Sequence, residues 1–245
     1  MEFLGMEKLE KITEVQTERL YRFTREHFVE FYDLQTELVD HLAFAIEEQW
    51  VQNPKLSFED ALKVEFKKFG VFGFMDVVEK RQAALSKKYN KLVWQHFKGF
   101  FRVPQIILTI GMVVGLFFLV KLVYFNYLFT ILFAFTFILL FIHMFKARKK
   151  IKRNKENTGK LWMFESMLMG HGSIAGLLGF PFHFGNIFIR DENIVWIENN
   201  LLLAVVCFLV VSFYLSVYII TVIIPSKAEE YLMETYPEYR MLKSA

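Results

Sequence analysis

The chain has 245 residues, of which 54% are hydrophobic and 22% charged, with a formal net charge of +3. The apolar share exceeds the roughly 45–50% of soluble domains, and the excess lies after Arg102 in runs too long for a soluble core, which excludes a purely soluble protein. A single cysteine, Cys207, excludes a disulfide framework.

Charge divides the first part of the chain. Residues 1–60 hold 6 Lys+Arg against 14 Asp+Glu, a net of −8, whereas residues 61–102 hold 10 against 3, a net of +7. The basic end adjoins the apolar runs, where anionic lipid attracts each well-placed Lys or Arg by about 1 kcal/mol. The acidic end suits a basic partner, or is simply a solvated surface. The opening MEFLGMEKLE carries acids and no apolar core. No signal peptide is therefore expected, and the N-terminal domain is expected to stay in the cytosol.

Residues 7–29 read as a weakly patterned helix, with Leu9, Ile12, Leu20, Phe23 and Phe28 on one side. The next helix, about Asp33 to Trp50, is clearer: Leu34, Leu38, Leu42, Ala45 and Ile46 recur at i, i+3 and i+4. Glu37, Asp40, His41, Glu47 and Glu48 lie off that stripe. Asn53-Pro54 stops the helix, because the residue before proline is pushed out of the α region. A third helix starts at the N-cap Ser57, with Asp60 at N3 as in a capping box. Phe58, Ala61, Leu62, Phe66 and Phe69 make its buried face, and Gly70 follows as a C′ glycine. The apolar turn Val71-Phe72-Gly73-Phe74 is expected to pack on these helices. A further helix from about Phe74 runs toward the membrane, with Val77, Val78, Leu85, Tyr89 and Leu92 on one side.

In residues 87–102, Lys87, Lys88, Lys91, Lys98 and Arg102 alternate with Tyr89, Trp94, Phe97, Phe100 and Phe101. This is the pattern of an interfacial segment, with aromatics at headgroup level and cations reaching back to water. Interleaved basic and aromatic residues also occur in nucleic-acid binders, but an apolar run begins at once, so no direct nucleic-acid contact is expected. Four spans come next: about Val103–Val120, Val123–Phe145, Leu161–Phe180 and Asn200–Ile224. The loop 146–160, KARKKIKRNKENTGK, carries 8 Lys+Arg and one Glu, and short loops this basic stay in the cytosol. The loop 181–200 sets only Arg190 against Asp191, Glu192 and Glu198. Both termini are thus expected in the cytosol, with a short surface helix from Ser226 to Tyr236 in the tail. The expected architecture is all-α: a cytosolic helical domain (1–86), a basic aromatic linker (87–102), a four-helix transmembrane bundle (103–224) and a cytosolic tail (225–245).

Three sets of polar or small residues carry possible function. Gly172, Gly176 and Gly179 lie in the third span, where small residues let helices approach closely. They suit a homodimer as well as a monomeric bundle. Glu165 is the one acid within a span, about one turn from its cytosolic end. His143 is placed at similar depth and within pairing reach of it, and His171 near the midplane. An intramembrane ionisable group is a functional candidate by default, and the alternative is a satisfied polar network. Glu37, Asp40 and His41 share one helix face. With no second set of ligands in view, no metal or cofactor is expected, and a protein-docking face or a solvated face remains. No phosphate loop, nucleophile elbow, HExxH or CxxC is present, so no enzyme is expected.

Residues 30–74 resemble the HAAS-type signalling domain of bacterial membrane proteins. The resemblance rests on the core Glu37 to Leu42, then Glu47-Glu48, then the capped Ser57 to Leu62 helix, then Phe69-Gly70. It covers a quarter to a third of the chain. It implies a cytosolic helical module that works with PadR-like winged-helix regulators, in a multi-pass protein of the bacterial cytoplasmic membrane. The basic juxtamembrane helix and the large second loop depart from the shorter family pattern. The leading expectation is a membrane regulatory protein docking a cytosolic protein through Glu37, Asp40, His41, Glu47 and Glu48. The alternative is a small permease or transporter subunit that uses Glu165 and His171.

Overall fold

The computed structural model describes residues 11–122, 125–169 and 199–244. Every regular element among these residues is helical. The chain divides into two compact units: Met1–Leu85 with Thr158–Met163, and Ser86–Asn157 with Phe164–Ala245.

The first unit holds α1 (Glu14–Glu26), α2 (Tyr32–Gln52), α3 (Phe58–Lys67) and the start of α4 (Met75–Gly99). α1 opens on a full capping box. Gln16 N–H donates to Thr13 Oγ1 at 3.3 Å and Thr13 N–H donates to Gln16 Oε1 at 2.8 Å, so two donors of the first turn are satisfied reciprocally. α2 buries Leu34, Leu38, Leu42 and Ile46, the stripe expected of it, and adds Val39 and Trp50. Full burial of one such side chain contributes about 1.5–3 kcal/mol. α1 and α3 pack on this helix. Trp50 Nε1–H donates to Leu56 O at 2.9 Å and ties down the turn that Asn53-Pro54 creates. Ser57 caps α3 by accepting from Asp60 N–H at 3.2 Å.

The chain reverses after α3 on Gly70 and Gly73, both in the left-handed region at φ +77° and +54°. A Cβ on Gly73 would lie 3.0 Å from the Phe66 ring, so both space and backbone favour glycine there. This turn brings Phe74 into an aromatic nest with Phe23, Phe66 and Phe69, whose rings meet largely edge-on at centroid distances of 4.8–6.1 Å. The expectation for the turn needs a correction. Phe74 is buried, but Val71 and Phe72 are 97% and 73% exposed. The two left-handed glycines turn the loop tip outward and leave only Phe74 facing the core.

The second unit holds the rest of α4, then α5 (Gln105–Leu122), α6 (Phe125–Thr158), α7 (Met163–Leu168), α8 (Asn200–Tyr218), α9 (Ala228–Thr235) and α10 (Pro237–Ser244). α8 continues through one π turn, Ile219–Ile223, into Ile224–Ser226. Pro225 accounts for this wider turn, since it has no N–H for the Thr221 carbonyl and its ring pushes that carbonyl aside. Gln105–Leu122 and Asn200–Ser226 are long and apolar enough to cross a membrane. They pack against each other through Val120, Leu203 and Cys207. Asn199 caps α8 by accepting from the N–H groups of Leu201 and Leu202, and Lys121 Nζ donates to Asn200 Oδ1 at 2.6 Å. From α8, Tyr214 O–H donates to Leu132 O on α6 at 2.7 Å and lies 2.7 Å from Thr136 Oγ1. Of the other two expected spans, α6 carries an apolar half with exposed Ile131, Phe135, Ile138 and Phe141. The third span lies outside the described residues beyond Met169.

The basic loop is also corrected. Residues 146–158 continue α6 as helix, giving one element of 34 residues. Lys and Arg are good helix formers. Ala147, Ile151 and Asn154 give the stretch a less exposed face, and Gly159, at φ +66°, ends the helix. The tail forms two helices, α9 and α10, where one was expected.

This packing makes two outcomes measurable. Leu42→Ala should destabilise the protein by about 2–5 kcal/mol in urea unfolding, whereas Phe44→Ala, on the exposed side of α2, should stay within about 0.5 kcal/mol. Equal losses would contradict the burial described. Tyr214→Phe should cost about 0.5–1.5 kcal/mol in a detergent unfolding titration, the usual net worth of one intramolecular hydrogen bond; an unchanged midpoint would deny that bond a role.

Candidate functional site: the outer face of α2

α2 places Glu37, His41, Phe44, Glu48 and Val51 at successive steps of four, three, four and three residues, so they form one line along the helix. All five are exposed, and Asp40 lies exposed beside them. Phe44 is 67% and Val51 57% exposed. At one end the Glu37 carboxylate lies 3.9 Å from Arg81 Nη1, an exposed pair worth little. The His41 ring meets Phe69 edge-on at 6.2 Å. The face therefore alternates carboxylates with apolar side chains, a surface that can bury an aromatic anchor while pairing cations around it.

Of the residues expected on this face, Glu37, Asp40, His41 and Glu48 are there. Glu47 is not free for docking. It is half-buried, and Oε1 accepts from Ile12 N–H at 2.9 Å, tying down the segment before α1. Phe44 and Val51 are the residues of this face that the sequence pattern does not single out, although both carry a signal: they fall out of phase with Leu38, Leu42 and Ile46, so burial of that stripe turns them outward.

The polar residues of the apolar segments are rearranged. Glu165 is buried, and its Oε1 accepts from Asn154 Nδ2 at 2.5 Å. Asn154 is eleven residues beyond His143 on α6, about 16 Å along the axis, so the carboxylate of Glu165 meets the basic half of that helix. The His143 imidazole hydrogen-bonds the Met169 backbone. His171, Gly172, Gly176 and Gly179 lie outside the described residues. Among the described residues no group of three His, Cys, Asp or Glu side chains is placed to hold a metal.

The basic aromatic segment comprises the last turns of α4 and the short stretch from Phe100 to Arg102. Lys87, Lys91, Lys98 and Arg102 are exposed, Trp94 is 57% exposed, and Lys98 Nζ lies 5.8 Å from the Trp94 ring centroid. Lys88 is corrected: its Nζ donates to Thr235 Oγ1 on α9 at 2.8 Å and lies 5.4 Å from the Phe164 ring centroid, so it serves the fold. Two turns further along α4, His96 Nε2 is 2.8 Å from the Tyr231 hydroxyl. Burial lowers the pKa of His96 below the ordinary imidazole value, Lys227 lowers it further, and Glu230 opposes both.

A lowered pKa in the folded state means that the fold favours neutral His96. Its contribution is complete above the ordinary value of about 6.5 and is lost as pH falls through that value toward the lowered one. Thermal unfolding followed from pH 8 to pH 5 should show this loss, and His96→Gln should flatten it. A wild-type profile identical to that of the variant would remove His96 from the account.

Nothing matches this chain in comparisons with protein-family models, with curated proteins and with solved structures.

Proposed function

We propose that this chain is a membrane-bound regulatory protein whose N-terminal helical unit docks a soluble protein on the outer face of α2. The observation that carries this reading is the exposed line Glu37, His41, Phe44, Glu48 and Val51, in which a 67% exposed phenylalanine stands among carboxylates. An aromatic side chain ringed by charged residues has the composition of an interface hot spot, an apolar anchor within a polar rim. The occupant is a basic protein with an apolar pocket. The resemblance of residues 30–74 to the HAAS-type domain implies a PadR-like winged-helix regulator, and a DNA-binding protein has the complementary sign of charge.

The membrane part of the proposal keeps four spans in a bacterial cytoplasmic membrane, with both termini in the cytosol. Support comes from the two membrane-length helices and from the 8 Lys+Arg of residues 146–160. Anionic lipid then meets Lys87, Lys91, Lys98 and Arg102 together with Lys146, Arg148 and Lys149 at the start of the basic half of α6. The alternative, a small permease or transporter subunit, would use Glu165, which hydrogen-bonds Asn154 on α6, together with His171.

Purified full-length protein in nanodiscs, titrated with a purified PadR-like regulator, tests the docking face. Wild type should bind. The double variant Glu37→Lys, Asp40→Lys should not, with its circular dichroism unchanged, and Phe44→Ala should weaken binding by roughly 30-fold, a hot-spot loss of about 2 kcal/mol. Equal affinity of all three proteins would refute the site.

A further inference from the structure

Six residues far along the chain, Thr158–Met163, belong to the N-terminal unit. They form the connector between α6 and α7, and the first turn of α2 holds them. Tyr32 N–H donates to Leu161 O at 2.7 Å. Met163 N–H donates to Asp33 Oδ1 at 3.1 Å. The Tyr32 ring meets Trp162 edge-to-face at 5.2 Å, and Lys160 Nζ lies 4.0 Å from the centroid of the same ring. Asp33, Trp162 and Met163 are 8%, 3% and 2% exposed.

The two backbone bonds have a common logic. The first N–H groups of a helix have no partner within it. Phe31, the N-cap of α2, supplies no side-chain acceptor. The Leu161 carbonyl takes the N–H of Tyr32, the first residue of α2. In return Asp33 takes the N–H of Met163, the first residue of α7. Each helix start thus completes the other; the Met163–Asp33 bond is buried, so losing Asp33 leaves a buried N–H unsatisfied, and the Tyr32–Leu161 bond joins two half-buried residues.

We propose that residues 158–163 are the coupling element of this protein: reciprocal capping between α2 and the connector transmits a change on α2 to α6 and α7. The proposal rests on the reading of α2 as a docking helix, because the docking line begins at Glu37, one turn after Asp33. A partner that shifts α2 would alter the two bonds, and the connector is covalently continuous with α6 at Asn157 and with α7 at Phe164.

Hydrogen exchange of the full-length protein in nanodiscs of phosphatidylethanolamine and phosphatidylglycerol, with no partner added, tests the coupling alone. In wild type the amides of Tyr32 and of residues 163–168 should be protected. Asp33→Ala should speed exchange across 163–168 at least tenfold while α1 stays protected, and Asp33→Asn, which keeps an acceptor oxygen, should restore wild-type rates. From the other side, Trp162→Ala should speed exchange at Tyr32 at least tenfold. Wild-type exchange at 163–168 in Asp33→Ala would overturn the proposal. If that variant loses α1 protection, the connector-side variant decides, and wild-type exchange at Tyr32 in Trp162→Ala overturns it. A failed docking titration with intact coupling here would reject the partner reading alone.

Discussion

The unpaired backbone groups at helix ends set the terms for this chain. An almost entirely helical protein has many such ends, and those away from water must find partners. Thr13 and Gln16 solve the problem locally for α1, Ser57 for α3 and Asn199 for α8. α2 has no side-chain cap at Phe31; its first N–H is taken by the Leu161 carbonyl, and Asp33 of its first turn accepts from the N–H of Met163, 130 residues away. A short-range rule thereby acquires a long-range consequence, because two stretches of sequence must meet for either helix to begin well.

Local grammar was legible wherever one residue and its near neighbours decide the outcome. Ser57 caps α3, α2 ends at Asn53 before Pro54, and Gly70 takes a left-handed conformation, though one residue beyond the expected C′ place. Leu34, Leu38, Leu42 and Ile46 are buried as their period requires, with Ala45 half-buried. The candidate face on α2 was legible for the same reason, as the complement of that stripe. The illegible part depended on partners distant in sequence. Lys88, read as lipid-facing, meets Thr235; Glu165, read with His143, meets Asn154; Glu47, read as surface, meets Ile12. Composition misled at residues 146–158, where a run of cations looks like a loop yet keeps helical backbone, since Lys and Arg cost little in a helix when their heads remain in water.

α2 is thus asked to do three things with three surfaces. Its leucine stripe makes the core of the N-terminal unit, its first turn holds the connector, and its outer line of carboxylates, Phe44 and Val51 is left to water. The surfaces are separable because a helix repeats every 3.6 residues. Leu38 and Leu42 point inward while Glu37 and His41, each one residue earlier, point out, so the outer line can vary without disturbing the core.

The length of α6 has a mechanical side. At 34 residues the helix is about 51 Å long, some 20 Å more than a hydrocarbon core is thick. Its polar half is a stiff arm ending at Thr158, the residue where the connector begins. Tilting such an arm by about 10° carries its tip sideways by roughly 3–4 Å, comparable with the length of a hydrogen bond. A modest reorientation in the apolar half is thereby magnified at the far end into a displacement large enough to make or break the contacts held there.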